Sequence, residues 1–337
     1  MLYKIKKYVE ELDPSTLSLD NKIIVSKIEP IGLGESNLNF LIYIKAKKFN
    51  LRINMDPSMP DKSKNEYLAL KLVENLGFAP RAYHFESRKH ILGGNFIILE
   101  YIEGISLDKI EISSEIILKL ARIVAQLHST PLTNILRQQL RIHNASYEEL
   151  LKELEARITY ILRKRNKFSK DSVFNALLKD SFNHVRQMTL DLKPHLLVIG
   201  HGDIAPQNVI LHKENLKFID WEDLGIIDPA LELSIIFDSF DFLKEQQDLF
   251  LKEYLKFRND RLLKDRIKIV QPFQLFGTFC WAVKHVLEIK DGEMHETFIK
   301  EQNLKEHIAY AKKIFEKCKT EGIVKKNTHW DEIEIFP

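Results

Sequence analysis

Apolar and polar positions along this chain follow two periods. From Ile28 to Met55 the run IEPIGLGESNLNFLIYIKAKKFNLRINM predicts strand, glycine turn, strand, turn, strand; LNFLIYI is apolar and β-prone, and NLRIN alternates. SKNEYLALKLVENLGFAP then predicts a helix with Leu68, Leu72 and Leu76 on one face and Gly77 as its stop. NFIILEYIEG predicts a buried strand over Phe96–Leu99, with Gly104 as a boundary. Beyond Gly104 the period becomes helical. SSEIILKLARIVAQLHSTP predicts an amphipathic helix with Ile116, Leu120, Ile123, Val124 and Leu127 inward, closed by Pro131. Helical spacing continues from about Ser146 to Lys193, through Leu150, Leu154, Ile158 and Ile161 and later Val173 and Leu177. It returns in PFQLFGTFCWAVKHVLEI and in KEHIAYAKKIFEKCK, where Ile308, Ala311 and Phe315 share a face.

One β-prone interval interrupts the helices, in the segment VIGHGDIAPQNVILHKENLKFIDWEDLGIIDP. LLVI leads in as a buried strand, VIL and KFI form a short hairpin, and a helix starts at Pro229 with Asp228 as its N-cap. Three polar residues sit at the joints of these elements. Asp203 lies in HGD, Asn208 follows five positions later, and Asp220 closes KFID. Magnesium prefers oxygen ligands, and Asn208 with Asp220 offers a neutral and a charged one. Asp203 would accept a hydrogen bond from an attacking hydroxyl and take its proton late. His201 is read as a brace for the loop. Taken singly, these residues fit a turn, a cap and a strand end; together, in this order of elements, they fit phosphoryl transfer from a nucleotide.

Composition narrows the setting. The 337 residues are 45% apolar and 29% charged, which suits a globular protein with room for two cores. Fifty basic and 48 acidic residues give a formal charge of +2, so neither nucleic acid nor a membrane is expected as a partner. Two cysteines, Cys280 and Cys318, form no metal-ligand pattern and point to a reduced, cytoplasmic setting. MLYKIKKYVEEL is too charged for a signal peptide. The basic run from Arg163 to Lys170 reads as a solvated helix end, and nothing in the pattern fixes an oligomeric state.

HGDIAPQN followed by FIDWEDLGIIDPALELS resembles the aminoglycoside phosphotransferase and choline kinase superfamily, small-molecule relatives of the protein kinases. The resemblance implies an α+β, two-lobed, protein-kinase-like fold, with a small, mainly antiparallel-sheet lobe over residues 1–103 and a larger, mainly helical lobe over 104–337. It implies Mg²⁺ held by Asn208 and Asp220, ATP or GTP as donor, and Asp203 as the catalytic carboxylate. In the first lobe it implies that Gly32, Gly34, Ser36 and Asn37 form the phosphate-binding turn, with Asn37 replacing the usual third glycine. Arg52 stands where a protein kinase carries its phosphate-binding lysine, and a guanidinium can bind phosphate bidentately. Glu66 either pairs with Arg52 or, with Ser63, forms a capping box; both readings stay open. The backbone of Glu100, Tyr101 and Ile102 would meet the adenine edge.

Several departures qualify the match. Ala205 removes the lysine or histidine common near the catalytic aspartate, and Glu232 replaces a frequent aspartate. Only a short segment separates Asp220 from the helix at Pro229, which favours a small-molecule acceptor over a peptide. Choline-like, aminoglycoside-like and homoserine-like acceptors all fit, and in this superfamily the helical stretch before the catalytic loop helps build the acceptor pocket. Phe276, Phe279 and Trp281 mirror a tryptophan-bearing helix of choline kinases, although core packing is the preferred reading. The competing functions are a catalytically silent nucleotide-binding module and a protein kinase.

Overall fold

In the computed structural model the described residues are 1–33, 37–55, 61–133, 141–142, 147–165, 173–193, 196–292 and 301–330. In chain order the elements are α1 (Leu2–Glu10), β1 (Val25–Leu33), β2 (Asn37–Ile44), β3 (Lys47–Asn54), α2 (Lys62–Val73), β4 (Ala82–Glu86), β5 (Phe96–Glu100), β6 (Ile105–Ser106), α3 (Ser114–His128) and β7 (Arg141–Ile142). There follow α4 (Tyr147–Arg165), α5 (Val173–Thr189), β8 (Val198–Gly200), β9 (Val209–His212), β10 (Asn215–Phe218), β11 (Gly225–Ile227), α6 (Pro229–Ser239), α7 (Lys244–Tyr254), α8 (Leu263–Lys290) and α9 (Glu301–Thr320). The chain divides into two compact units. One comprises Met1–Arg141, Ile199–Gly225 and Leu243–Arg258, the other Ile142–Val198, Ile226–Phe242 and Asn259–Pro337.

In the first unit, β1-β2-β3-β5-β4 form an antiparallel sheet. Its alternation sends Phe40, Ile42, Leu51, Ile53, Phe96 and Ile98 into a core that Ile5 and Val9 of α1 complete. The opposite parity carries Arg52, set between Asn39 and Ile97 by the register. A second sheet, β10-β9-β6, holds the hairpin formed by β9 and β10. Gly104 has φ +156°, and a Cβ there would meet Leu211 O of β9 at 2.4 Å, so the entry to β6 needs glycine.

Helix α2 corrects the face expected from the sequence. Leu68 is 50% exposed, and the buried positions are Ser63, Glu66, Ala69, Leu70 and Val73. The leucine repeat suggested a stripe, but the helix turns a glutamate inward because a buried guanidinium waits for it. After Val73 a 3₁₀ turn runs to Leu76, and Gly77 ends it at φ +80°.

The second unit packs α4, α5, α8 and α9 around Leu154, Ile158, Ile161, Phe174, Phe276, Phe279 and Phe315. Val173, expected inward, is exposed at the start of α5. Helix α8 begins upstream of Pro272, which lies within it. Phe276 and Phe279 are core residues as preferred, whereas Trp281 is 38% exposed and stacks on His285 at 5.1 Å.

Asp238 on α6 receives a hydrogen bond from Gln271 Nε2 at 2.8 Å, while its Oδ2 is shut from solvent with no partner among the described residues. Burial, the main cause, pushes its carboxyl up to about 7. Its folded pKa therefore lies above the unfolded one, so the stability associated with this group is full below about pH 4 and drains away as pH rises toward 7. Asp238→Asn is expected to match the wild type near pH 4 and exceed it by about 4 kcal/mol at pH 8. Denaturant unfolding at both pH values tests this; a pH-independent difference would contradict it.

Candidate functional site

The site grows from the β9–β10 hairpin. Val209 pairs with Phe218, so Asn208 and Ile219 leave the same open end, where the Ile219 N–H donates to Asn208 O at 2.9 Å. That bond sets Asp220 beside Asn208. Asp220 itself adopts the left-handed region at φ +67°, a strained conformation for an aspartate that turns the chain sharply into a 3₁₀ turn, Trp221–Asp223. Trp221 anchors the turn: it is fully buried against Phe78, Phe218 and His201, and its Nε1–H donates to Phe218 O at 2.8 Å.

Asp203 follows β8 through Gly202. The glycine has φ +86°, and a Cβ would meet Asp223 O at 2.4 Å. HGD therefore needs its central glycine for a close approach to the turn after Asp220, a reason that no local pattern discloses. His201 is buried and bonds on both sides. The Asp203 N–H donates to its Nδ1 at 3.3 Å, which places the proton on Nε2 for donation to Ile219 O at 3.0 Å. The histidine thus ties the Asp203 loop to the strand that delivers Asp220.

Asn208 Nδ2 donates to Asp203 Oδ2 at 2.7 Å and to Asp203 O at 3.0 Å. With its amide hydrogens so used, Asn208 keeps Oδ1, an oxygen able to ligate a cation, and Asp203 keeps Oδ1, an oxygen able to accept a further hydrogen bond. Burial, with the neighbouring Asp220 and Asp223 charges, raises the Asp203 carboxyl pKa despite the hydrogen bond from Asn208.

Arg52 links β3 and α2 to the hairpin. Its Nη1 donates to Glu66 Oε1 at 2.7 Å and to Asp220 Oδ1 at 2.8 Å. The open question about Glu66 is thereby resolved: it pairs with Arg52. Ser63 lies inside α2 and reaches toward Asn95 O, and the N-cap Asp61 makes no side-chain bond, so no capping box forms. Burial alone would favour a neutral Arg52, but the Glu66 and Asp220 carboxylates outweigh it and hold the guanidinium firmly charged. Burial likewise opposes ionisation of Asp220, and Arg52 overcomes it, holding that carboxyl below its usual range.

The remaining expected residues are more dispersed. Gly32 lies near the end of β1, and Asn37 is buried at the start of β2, paired with Asn54. Gly34 and Ser36 lie outside the described residues. Glu100 ends β5; its N–H donates to Arg81 O at 2.8 Å, and that of Tyr101 to Lys48 O at 3.4 Å. Ile102 follows them. Sequence reasoning missed Gly202, Lys62 and Glu222. Lys62 Nζ lies 2.5 Å from Glu222 Oε1, with the side chains 15% and 12% exposed. The acid two residues beyond Asp220 was a visible signal; the lysine was not.

The donor chemistry fits Mg²⁺. No group of three or more His, Cys, Asp or Glu ligands occurs among the described residues. Asn208 Oδ1 and the Asp220 carboxylate are hard oxygens, matching a cation that completes its shell with phosphate and water.

A profile of the phosphotransferase enzyme family matches residues 27–265. Protein LicA of Haemophilus influenzae is 30% identical over 95 residues, 28% of this chain and 35% of that protein. The chain thus aligns with about a third of the length of this curated relative. Among solved structures, spectinomycin phosphotransferase in complex with ADP and spectinomycin superposes with a TM-score of 0.65 at 14% identity, covering 90% of this chain and 95% of that one. The choline kinase LicA from Streptococcus pneumoniae gives 0.59 at 21% identity, covering 91% and 99%. The fold is the α+β, protein-kinase-like one expected, with antiparallel sheet in the N-terminal part and helices in the C-terminal part.

Proposed function

The chain belongs to the phosphotransferase enzyme family, and we propose that it moves the γ-phosphoryl of ATP or GTP to a hydroxyl of a small molecule. The carrying observation is the continuous chain of contacts from Glu66 through Arg52 to Asp220, beside Asn208 hydrogen-bonded to Asp203. A guanidinium, two hard oxygen donors and a carboxylate in this order support phosphoryl transfer.

Asp203 Oδ1 accepts the hydrogen bond of the acceptor hydroxyl, aligns its oxygen for attack and takes its proton as the bond to the γ-phosphorus forms and the bond to the departing nucleoside diphosphate breaks. Asn208 Oδ1 and Asp220 would hold Mg²⁺, which would neutralise charge on the nucleotide phosphates. Both ion-pair contacts of Arg52 use Nη1, which leaves Nη2 for a phosphate oxygen. With alanine at 205, Arg52 is the cation this chain supplies to the transferring group. At the adenine edge the Glu100 and Tyr101 N–H groups are already engaged, so Ile102 N–H and the adjoining carbonyls are the contacts assigned to the base.

A small acceptor is favoured by the short passage after Asp220, where a 3₁₀ turn and β11 lead directly into α6. Choline heads the panel because the LicA neighbour is a choline kinase, followed by ethanolamine, spectinomycin, sugars and homoserine. Release of nucleoside diphosphate is measured with ATP and with GTP. An acceptor should stimulate release at least about tenfold over water. Tight Mg·nucleotide binding with no stimulated release across the panel would instead favour the silent module.

A further inference from the structure

Helix α2 breaks a local rule at its start. Its first turn carries Lys62 and no acidic residue, and its N-cap Asp61 makes no side-chain bond. A lysine there faces the positive end of the helix dipole, which is unfavourable. The compensation is tertiary: Lys62 Nζ meets Glu222 Oε1 at 2.5 Å in a largely buried pair. The second oxygen, Oε2, is shut from solvent without a hydrogen-bond partner among the described residues, so Lys62 is the direct ion-pair partner of that carboxylate, with Arg52 acting at longer range.

Lys62 and Glu66 lie one helical turn apart on the buried face of α2, and Asp220 and Glu222 lie two residues apart on the turn they meet. Two links therefore fasten this helix to this turn. One passes through Arg52, from Glu66 to Asp220; the other is direct. When Arg52 serves a phosphate and Asp220 a cation, the first link is shared with the ligand, whereas the second stays free of it and adds to the packing that keeps α2 in register.

We infer that Lys62, through Glu222, is a positioning residue that holds α2, and with it Glu66 and Arg52, at the geometry that binds Mg·nucleotide. The role rests on the phosphotransferase reading. It concerns nucleotide affinity, and Lys62 touches neither nucleotide nor acceptor.

The test compares Lys62→Met, Lys62→Arg and the doubly neutral Lys62→Met/Glu222→Gln by calorimetric titration with Mg·ADP, which needs no acceptor. Lys62→Met should weaken Mg·ADP about tenfold while the acceptor KM stays within about twofold. Lys62→Arg should restore most of the affinity, since it keeps the ion pair. Amide exchange over α2 should quicken in Lys62→Met and recover in Lys62→Arg. If Lys62→Met does not fold, the double variant, which buries no unpaired charge, should fold and show the same loss. Unchanged affinity in a folded Lys62→Met or in the double variant overturns the inference, as does equal loss in the Met and Arg variants, which would mean a direct nucleotide contact. A wild type that fails to bind Mg·ADP would overturn the function reading itself, and this role with it.

Discussion

Asp203→Asn is expected to lower kcat by about a thousandfold while leaving Mg·ADP affinity within about threefold. The substitution is nearly isosteric, and its surroundings explain why the damage should be confined to chemistry. Asp203 N–H still donates to His201, and an amide oxygen at position 203 can still accept from Asn208 Nδ2. The other terminal atom becomes an NH₂ group in place of Oδ1. A donor then faces the acceptor hydroxyl, so the hydroxyl loses both its alignment and its proton acceptor. Nucleotide contacts, assigned to Arg52, Asn208 and Asp220, are untouched. The measurement is steady-state turnover with the best acceptor, alongside direct nucleotide titration. A kcat within about tenfold of wild type would remove Asp203 from the role of base.

Arg266→Met should cost about 3–5 kcal/mol of stability and lower the unfolding temperature by on the order of 10 °C. Arg266 on α8 is 6% exposed and lies between two buried carboxylates. Its Nη2 donates to Asp228 Oδ1 at 2.7 Å and its Nη1 to Asp260 Oδ2 at 3.0 Å. Asp228 also caps α6 by accepting from Ala230 N–H at 2.8 Å, and receives the Tyr147 hydroxyl of α4 at 3.0 Å. One carboxylate thus joins three helices of the second unit. Removing the guanidinium strands two buried negative charges, whereas methionine preserves most of the side-chain volume, so the loss reports charge more than packing. Arg266→Lys keeps a cation but not the forked geometry and should fall between. Calorimetric unfolding decides; a loss below about 1 kcal/mol would place the pair among weak surface contacts.

What could be read from the sequence was what the chain encodes locally. The β9–β10 hairpin brings Asn208 to Asp220 by register alone, so strand signals and short spacings were enough to find the core of the site. The Asp228 cap and the start of α6 at Pro229 were readable for the same reason. Resemblance to a family supplied the expected partners of Arg52, but spacing could not choose between two plausible roles for Glu66.

Tertiary structure made that choice, and the reason is burial. A glutamate turns inward on α2, against the leucine stripe, because Arg52 on β3 offers it a charge partner where both side chains are largely shielded from water. The same physics explains Lys62, unfavourable at a helix start until Glu222 arrives from far along the chain, and Arg266, whose two aspartates come from separate segments. Gly202 belongs with them, since only the approach of Asp223 O forbids a side chain there. The sequence by itself determined the order of elements and the close spacing of Asp203, Asn208 and Asp220, because these depend on neighbours a few residues apart. Which charges are paired, and hence which carboxylates stay ionised once water is excluded, was decided only when distant segments met.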